Sequence, residues 1–384
     1  MNKGITSFNG TRLADAREIM GITGDKLAEA IDVSRQMVSK YENNRANPTS
    51  DVLDLLSKEL KMPKHYFLNE NISTVKDVVF YRSLASATIR ARNRSEIKLK
   101  WLKQIVDLIS NYIAIPKFSI PFPVMSNRPL DYDLESVENT ASQVRNSFGL
   151  GLGPIPNLSK HIEKSGIILA KAELGSERLD AFSEWSSLDG RPYIFLGKDK
   201  RNSPRSRFDL AHELAHIILH KKIKKSDFNK KANFRALEDQ ANRFAGSLLL
   251  PAEGFTRDFQ TPSLENFLAI KEKWKVSLAL MIKRSSDLGL LTEKYERTLW
   301  INYSRKGWRK GEPLDDRIEA ESPSFLQKSI KLLINEQIMS PSEIVDRISL
   351  PPHYIEELTN LEIGYFNKLT NKDVVPKLIN IKRN

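Results

Sequence analysis

Two histidines four residues apart, with a glutamate directly after the first, stand inside the apolar run "RFDLAHELAHIILH", residues 207–220. Residues four apart on an α-helix differ by about 40° in azimuth and about 6 Å in rise. His212 and His216 can therefore aim ring nitrogens at one ion. Glu213 lies off that line and can reach a water beside the ion, the place of a general base in metal-assisted attack on a carbonyl. With 6 histidines in 384 residues, the HExxH pattern arises by chance in fewer than about one such chain in a hundred. A satisfied core histidine explains one imidazole. It explains two, plus a carboxylate that is costly to bury unpaired, poorly. The chemistry indicated is hydrolysis at a divalent metal centre, a His-His-carboxylate set being suited to Zn²⁺, Mn²⁺ and Fe²⁺ alike.

A third protein ligand must come from elsewhere. His220 continues the four-residue series, but on an unbroken helix it lies about 12 Å along the axis from His212, too far to share an ion with bonds of about 2 Å. No glycine in "HIILH" turns the chain back, so His220 reads as a helix-end histidine favoured by the dipole. The next helix, "ALEDQAN", offers Glu238, on a face with Asn242, Ala245 and Leu249. Asp239 is its rival, about 100° round the helix; the packing face favours Glu238.

The elements that must hold these residues follow from periodicity and punctuation. Strand-like runs at 166–174, 180–185 and 192–197 precede the histidine helix, 204–220, and Pro251 ends the helix after it. Helices are expected at 131–148, 156–164, 263–273 and 277–289, and mostly helix from 300 to the end. Five short helices fill residues 9 to about 70. The second and third are joined by the tight turn "IDVS", with Ser34 as N-cap, a helix-turn-helix layout. Thr49 or Ser50 caps the fourth. Residues 80–113 read as one long helix or a broken pair, its first half basic (Arg82, Arg90, Arg92, Arg94, Lys98, Lys100, Lys103). A proline-rich connector follows. The segments "TGDKLAEAIDVSRQMVSKYEN" (23–43) and "SPSEIVDRISLPPHYIEELTN" (340–360) share length and apolar register. The second carries Pro351, Pro352, Glu356 and Glu357 where the first has Ser34, Arg35, Ser39 and Lys40, and reads as a helical pair that does not read DNA or, equally, as chance register between two amphipathic helix pairs.

Composition sets the outer bounds. Hydrophobic content of 40% and charged content of 28% suit a globular protein. No apolar run approaches the roughly 20 residues that span a bilayer, and the opening "MNKGITSFNG" has no apolar core of a leader. With no cysteine, disulfides, thiolate zinc sites and cysteine nucleophiles are excluded, which fits the cytoplasm. The net charge of +12 is uneven: residues 1–70 balance, while 71–130 and 201–300 each carry an excess of seven positive charges. A polyanion, an acidic peptide or a solvated surface would each suit that excess.

The segments "FYRSLASAT", "DAFSEW", "RPYIFLG", "RFDLAHELAHIILH", "EDQANRFAGSLLLP", "VSLALMIKRSSDLGLL" and "GWRKGEP" together resemble the ImmA/IrrE family of metallopeptidases, in the form with an N-terminal XRE-type helix-turn-helix. The likeness covers about residues 7–315. It implies His212, His216 and Glu238 as metal ligands with Glu213 as base, in a gluzincin-like domain that cleaves a helix-turn-helix repressor. The expected fold is α+β and mainly helical, with a small sheet of about three strands. The expected parts are a helix-turn-helix domain (1–70), a basic helical linker (71–130), the peptidase domain (131–300) and a helical C-terminal region (301–384).

The N-terminal module departs from its pattern: "GDK" replaces the small polar-Gln pair that opens the second helix, and "ENNR" stands for "ENGK". Arg35, Gln36, Ser39, Lys40, Asn43 and Arg45 are its candidate contacts to double-stranded DNA. A homodimer would be needed for strong binding to a palindrome. Residues 82–103 are a candidate contact for flanking DNA or single-stranded nucleic acid. Tyr193 and Arg207 are candidate substrate contacts, with strand 192–197 able to pair with an extended peptide. The leading reading is a cytoplasmic zinc protease that cleaves a repressor, an antitoxin or itself. The other is a transcription regulator or antitoxin whose peptidase-like domain binds a ligand or toxin without turnover.

Overall fold

A computed structural model describes residues 4–69, 79–81, 88–120, 128–175, 180–198, 203–223, 225–228, 230–259 and 261–370. The chain splits into two compact units, one of Met1–Thr74, Thr88–Ile115 and Ser324–Asn384, the other of Val75–Ala87 and Pro116–Pro323. The four expected segments are thereby regrouped, because the supposed linker helix and the C-terminal helices share a core with the N-terminal ones.

In the first unit, helices α1 (Gly10–Met20), α2 (Gly24–Ala30), α3 (Arg35–Glu42) and α4 (Ser50–Leu60) start behind Asn9, Thr23, Ser34 and Thr49. Each cap accepts a hydrogen bond from a first-turn amide, which matters for helices too short to persist alone. Asp32 takes a left-handed φ of 53° in the turn between α2 and α3. Asn44 is the left-handed residue after α3, and its Oδ1 accepts the Gly10 amide at 2.7 Å. Gly10 is required here, since a Cβ would stand 1.9 Å from the Tyr41 carbonyl oxygen. Leu13, Leu27, Val38 and Leu56 close the core.

The long helix or broken pair expected over 80–113 is instead a strand and one helix. Val79–Tyr81 is a strand, β1, of the other unit, and α5 (Ile89–Ser110) begins behind Thr88. Arg82 lies outside the described residues. Half of the 22 residues of α5 are buried, which makes it a core helix rather than a linker. Its cations serve that packing: Lys98 pairs with Glu357 at 2.8 Å, Lys100 with Asp15 at 3.0 Å, and Arg94 Nε donates to the Glu18 carbonyl near the end of α1 at 3.4 Å. Of the cations described in 82–103, Lys98 is buried, Arg92, Arg94, Lys100 and Lys103 are half-buried and Arg90 is exposed.

The second unit contains α6 (Leu134–Ser147), α7 (Leu158–Lys164), β2 (Ile168–Ala172), β3 (Ala181–Trp185), β4 (Pro192–Gly197) and α8 (Ser203–Leu219). It continues through α9 (Lys225–Phe228), α10 (Lys231–Leu249), α11 (Ala252–Thr256), α12 (Leu264–Trp274), α13 (Leu278–Asp287) and α14 (Glu293–Arg305). Four described strands, not three, form a mixed sheet in the order β1-β3-β4-β2, with β2 parallel to β4 and the other pairs antiparallel. β4 is hydrogen-bonded on both sides, so no peptide can add along 192–197 as the sequence suggested.

Helix α8 lies between this sheet and α10. Leu210, Leu214 and Ile217 share a cluster with Ile194 and Leu196 of the sheet and Phe244 and Leu248 of α10. The Trp185 indole donates to the Ile217 carbonyl at 2.9 Å. Thirteen of the seventeen residues of α8 are buried, so the helix has no solvent stripe and its ionisable groups must find partners inside the protein. Glu312 of "GWRKGEP" is one such buried hub. It accepts the amides of Leu278 and Ala279 at the start of α13 and pairs with the fully buried Lys271 at 2.7 Å.

The chain then returns to the first unit as α15 (Phe325–Asn335), α16 (Pro341–Ile348), α17 (Pro352–Thr359) and α18 (Tyr365–Thr370). The weak internal repeat is structural: α16 and α17 stand in the register of α2 and α3, with Ser340 capping like Thr23. Ser349, at φ 63°, turns where Asp32 does. Leu27, Ile31 and Val38 correspond to Ile344, Ile348 and Ile355, all buried. The outer faces differ. Tyr354 packs on Trp101 with ring centroids 4.7 Å apart, and Glu356 accepts the amides of Gly364 and Phe366. The second pair packs inward with the face that the first leaves in solvent.

Candidate metal centre

Residues from α8, α10 and β3 converge on one buried point. His212 Nε2 and His216 Nε2 are 3.1 Å apart, and Glu238 places Oε2 3.4 Å from the first and Oε1 3.3 Å from the second. Among the described residues this is the one group of three such side chains close enough to hold a metal ion. Tetrahedral ligands at about 2.0–2.1 Å from zinc lie about 3.3 Å from one another, so the nitrogen pair, and each nitrogen with the carboxylate oxygen nearest it, have the spacing of neighbouring ligands. Asp239, the rival carboxylate, is exposed and outside the triangle.

The donor set fits a cation as well as the spacing does. His212 Nδ1 lies 3.0 Å from Asn242 Oδ1. An amide oxygen only accepts, so the ring proton is on Nδ1 and the lone pair of Nε2 faces the triangle. Two ring-nitrogen lone pairs and a carboxylate repel one another unless a proton or a cation sits among them.

Glu213 is fully buried, and the Ser183 hydroxyl of β3 donates to its Oε2 at 2.6 Å. That bond sets the direction of the carboxylate next to the histidine pair. His216 Nδ1 meets His220 Nδ1 at 2.8 Å, and His220 Nε2 meets Gln240 Oε1 at 2.9 Å. Burial, and then the neighbouring His216, push His220 well below the usual imidazole range. A cavity of about 630 Å³ has Phe208 and Asn242, neighbours of His212, in its wall, together with Leu134, Asp239, Leu280 and Lys283.

The two candidate substrate contacts lie apart from this cluster. The Tyr193 hydroxyl donates to Asp189 Oδ2 at 2.6 Å, and burial and that carboxylate raise its pKa beyond the usual phenol range. Arg207 is buried and bonded to Glu321 and the Ile155 carbonyl. In the first unit, Arg35, Gln36, Lys40, Asn43 and Arg45 are exposed on or just after α3, with Ser39 half-buried among them. Arg35 Nε is 3.7 Å from Asp25, and Asn43 Nδ2 donates to the Ser39 carbonyl at 2.7 Å.

Sequence reasoning missed Ser183, Gln240 and the use made of His220. The four-residue spacing from His216 was a usable signal for His220. Nothing local marks Ser183, whose partner is thirty positions away.

Residues 162–286 match the IrrE N-terminal-like domain, and residues 13–67 match the helix-turn-helix domain. The chain carries both. A protein of Methanococcus vannielii named "Putative HTH-type transcriptional regulatory protein" is 25% identical over 170 residues, covering 42% of this chain and 46% of that one. One of the same description from Methanocaldococcus jannaschii is 41% identical over 130 residues, covering 33% of this chain and 37% of that one. The chain thus spans less than half the length of these curated relatives.

Proposed function

We propose that the chain is a DNA-associated, cytoplasmic metalloendopeptidase that cleaves a repressor-type or antitoxin protein, or itself. The observation that carries the reading is the triangle of His212, His216 and Glu238 with Glu213 buried beside it and oriented by Ser183. His212, His216 and Glu238 would hold the ion, zinc first and manganese second. A bound divalent ion supplies Lewis-acid polarisation of water and of the scissile carbonyl. Glu213 takes the proton of the attacking water and passes it to the leaving amine. Ser183 keeps that carboxylate aimed during both transfers, and Asn242 keeps the His212 lone pair on the ion's side.

The substrate is an extended segment of a protein. Its backbone would pair with the outer side of β1, since β1 neighbours β3, which carries Ser183, and no strand covers its other side among the described residues. An apolar side chain of that segment would enter the cavity walled by Phe208, Leu134 and Leu280. The N-terminal unit sets where this happens, with Arg35, Gln36 and Lys40 reading base edges and Ser39, Asn43 and Arg45 completing the contact.

The names of the two relatives favour a second reading, in which the metal domain regulates transcription without turnover. One experiment separates them. The purified chain is incubated with Zn²⁺ and the products of its neighbouring genes, and fragments are sought by mass spectrometry. Cleavage lost in Glu213→Gln, with operator binding retained, is the result expected. Metal binding with no cleavage of any neighbour would replace the peptidase with the regulator.

A further inference from the structure

The four-residue series continues past the ligands into a buried chain of hydrogen bonds. Gln240 Nε2 donates to the backbone carbonyls of Pro129 at 3.0 Å and Tyr132 at 2.9 Å. Carbonyl oxygens only accept, so the amide cannot be turned round, and Oε1 must face His220. The ring nitrogen it meets, His220 Nε2, therefore carries a proton. A ring buried to 0% exposure beside another imidazole carries a single proton, which leaves a lone pair on Nδ1 of His220. The 2.8 Å contact from that atom to His216 Nδ1 is a hydrogen bond only if His216 holds its proton there. The other nitrogen of His216 is then a lone pair directed at His212 and Glu238.

We propose that His220 and Gln240 are positioning residues that lock His216 in its Nδ1–H tautomer, so that a metal ligand stands ready before any ion arrives. The proposal rests on the reading of the triangle as a metal site and not on any substrate. It also explains the third histidine, which is too far along the helix to be a ligand and yet fully buried. Isolated neutral imidazole prefers the proton on Nε2, the wrong nitrogen for this site. At His220 and Gln240, buried to 0% and 3% exposure, solvent cannot substitute for the missing partner. The tautomer is thus dictated by two backbone carbonyls of the 129–132 turn, two side chains away from the ligand.

Two measurements on the full chain test this. The first is ¹⁵N NMR of the histidine rings in metal-free protein. His216 is expected as the Nδ1–H form in the parent chain and as a mixture with Nε2–H in Gln240→Met, which keeps volume but has no amide. The second is zinc affinity by chelator competition. Both Gln240→Met and His220→Phe are expected to bind zinc about 10–100-fold more weakly, the range for losing an outer partner of a ligand. Thermal unfolding in chelator shows that each variant is folded. A parent chain with His216 protonated on Nε2 would overturn the proposal. So would folded variants that bind zinc as tightly as the parent. A parent chain that binds no zinc would instead overturn the metal reading, while the ring spectra still decide the tautomer.

Discussion

Replacing Glu238 by Gln should move stability in opposite directions with and without metal. The amide keeps the shape of the carboxylate but removes its charge. At pH 8, above the ordinary imidazole range, the metal-free parent holds a carboxylate 3.3–3.4 Å from two ring nitrogens. In the variant, the amide N–H can donate to one of those nitrogens. A net hydrogen bond is worth about 0.5–1.5 kcal/mol, so metal-free Glu238→Gln should be as stable as the parent or about 1 kcal/mol more stable. Zinc reverses the order. At free zinc one hundred times its Kd the parent gains about 2.7 kcal/mol. For a domain of about 150–250 residues that raises Tm by about 5–11 °C. The variant, lacking the anionic corner, should gain little at the same zinc concentration. Calorimetric or fluorescence melts in chelator and in buffered zinc give all four values. A variant that keeps the full zinc response would refute the assignment of Glu238 as a ligand. One that loses about 3 kcal/mol in chelator would show that the carboxylate serves an ordinary buried ion pair instead.

Ser183→Ala removes a hydrogen bond to a charged group worth about 1.5–3 kcal/mol, so cleavage should slow by about 10–100-fold while the zinc-dependent Tm shift stays; an unchanged rate would remove Ser183 from the mechanism. Glu138 bridges Arg243 at 2.5 Å and the fully buried Arg284 at 2.7 Å, and Glu138→Gln should cost about 3 kcal/mol in denaturant unfolding. Burial pushes the Glu138 carboxyl up, but Arg284 and Arg243 prevail and hold it below its ordinary value of 4.5. Its stabilisation is therefore full above that value and is lost as pH falls through the lower, folded-state pKa, so the variant should show a flatter loss of stability in acid. Arg35→Ala should weaken operator binding by about 1–3 kcal/mol and relax the preference at one base pair, whereas Arg90→Ala should alter at most the salt dependence, as binding titrations at two ionic strengths would show.

The metal triangle was legible before any coordinates because its logic is local. Two ligands one turn apart depend only on helical pitch, and Glu238 was singled out by the packing face of its own helix. The caps Thr23, Ser34 and Thr49 and the turn at Asp32 are equally local, so the helix-turn-helix could be read from short words of sequence. Periodicity misled where a segment changes partner. Residues 79–81 have no length of their own to announce a strand, and they become one because the edge of β3 supplies hydrogen bonds. The cations of α5 look like a nucleic-acid face until Asp15, the Glu18 carbonyl and Glu357 come to meet them from far along the chain.

What sequence alone determined was which side chains have the right chemistry and which helix faces they share, because those follow from residue type and a fixed rise per residue. Tertiary structure decided which unit each helix joins. It also decided which nitrogen of each ligand carries the proton. Those depend on acceptors brought in from distant elements, such as the Asn242 amide and the backbone of Pro129 and Tyr132, whose spacing in the chain bears no relation to their spacing in the fold.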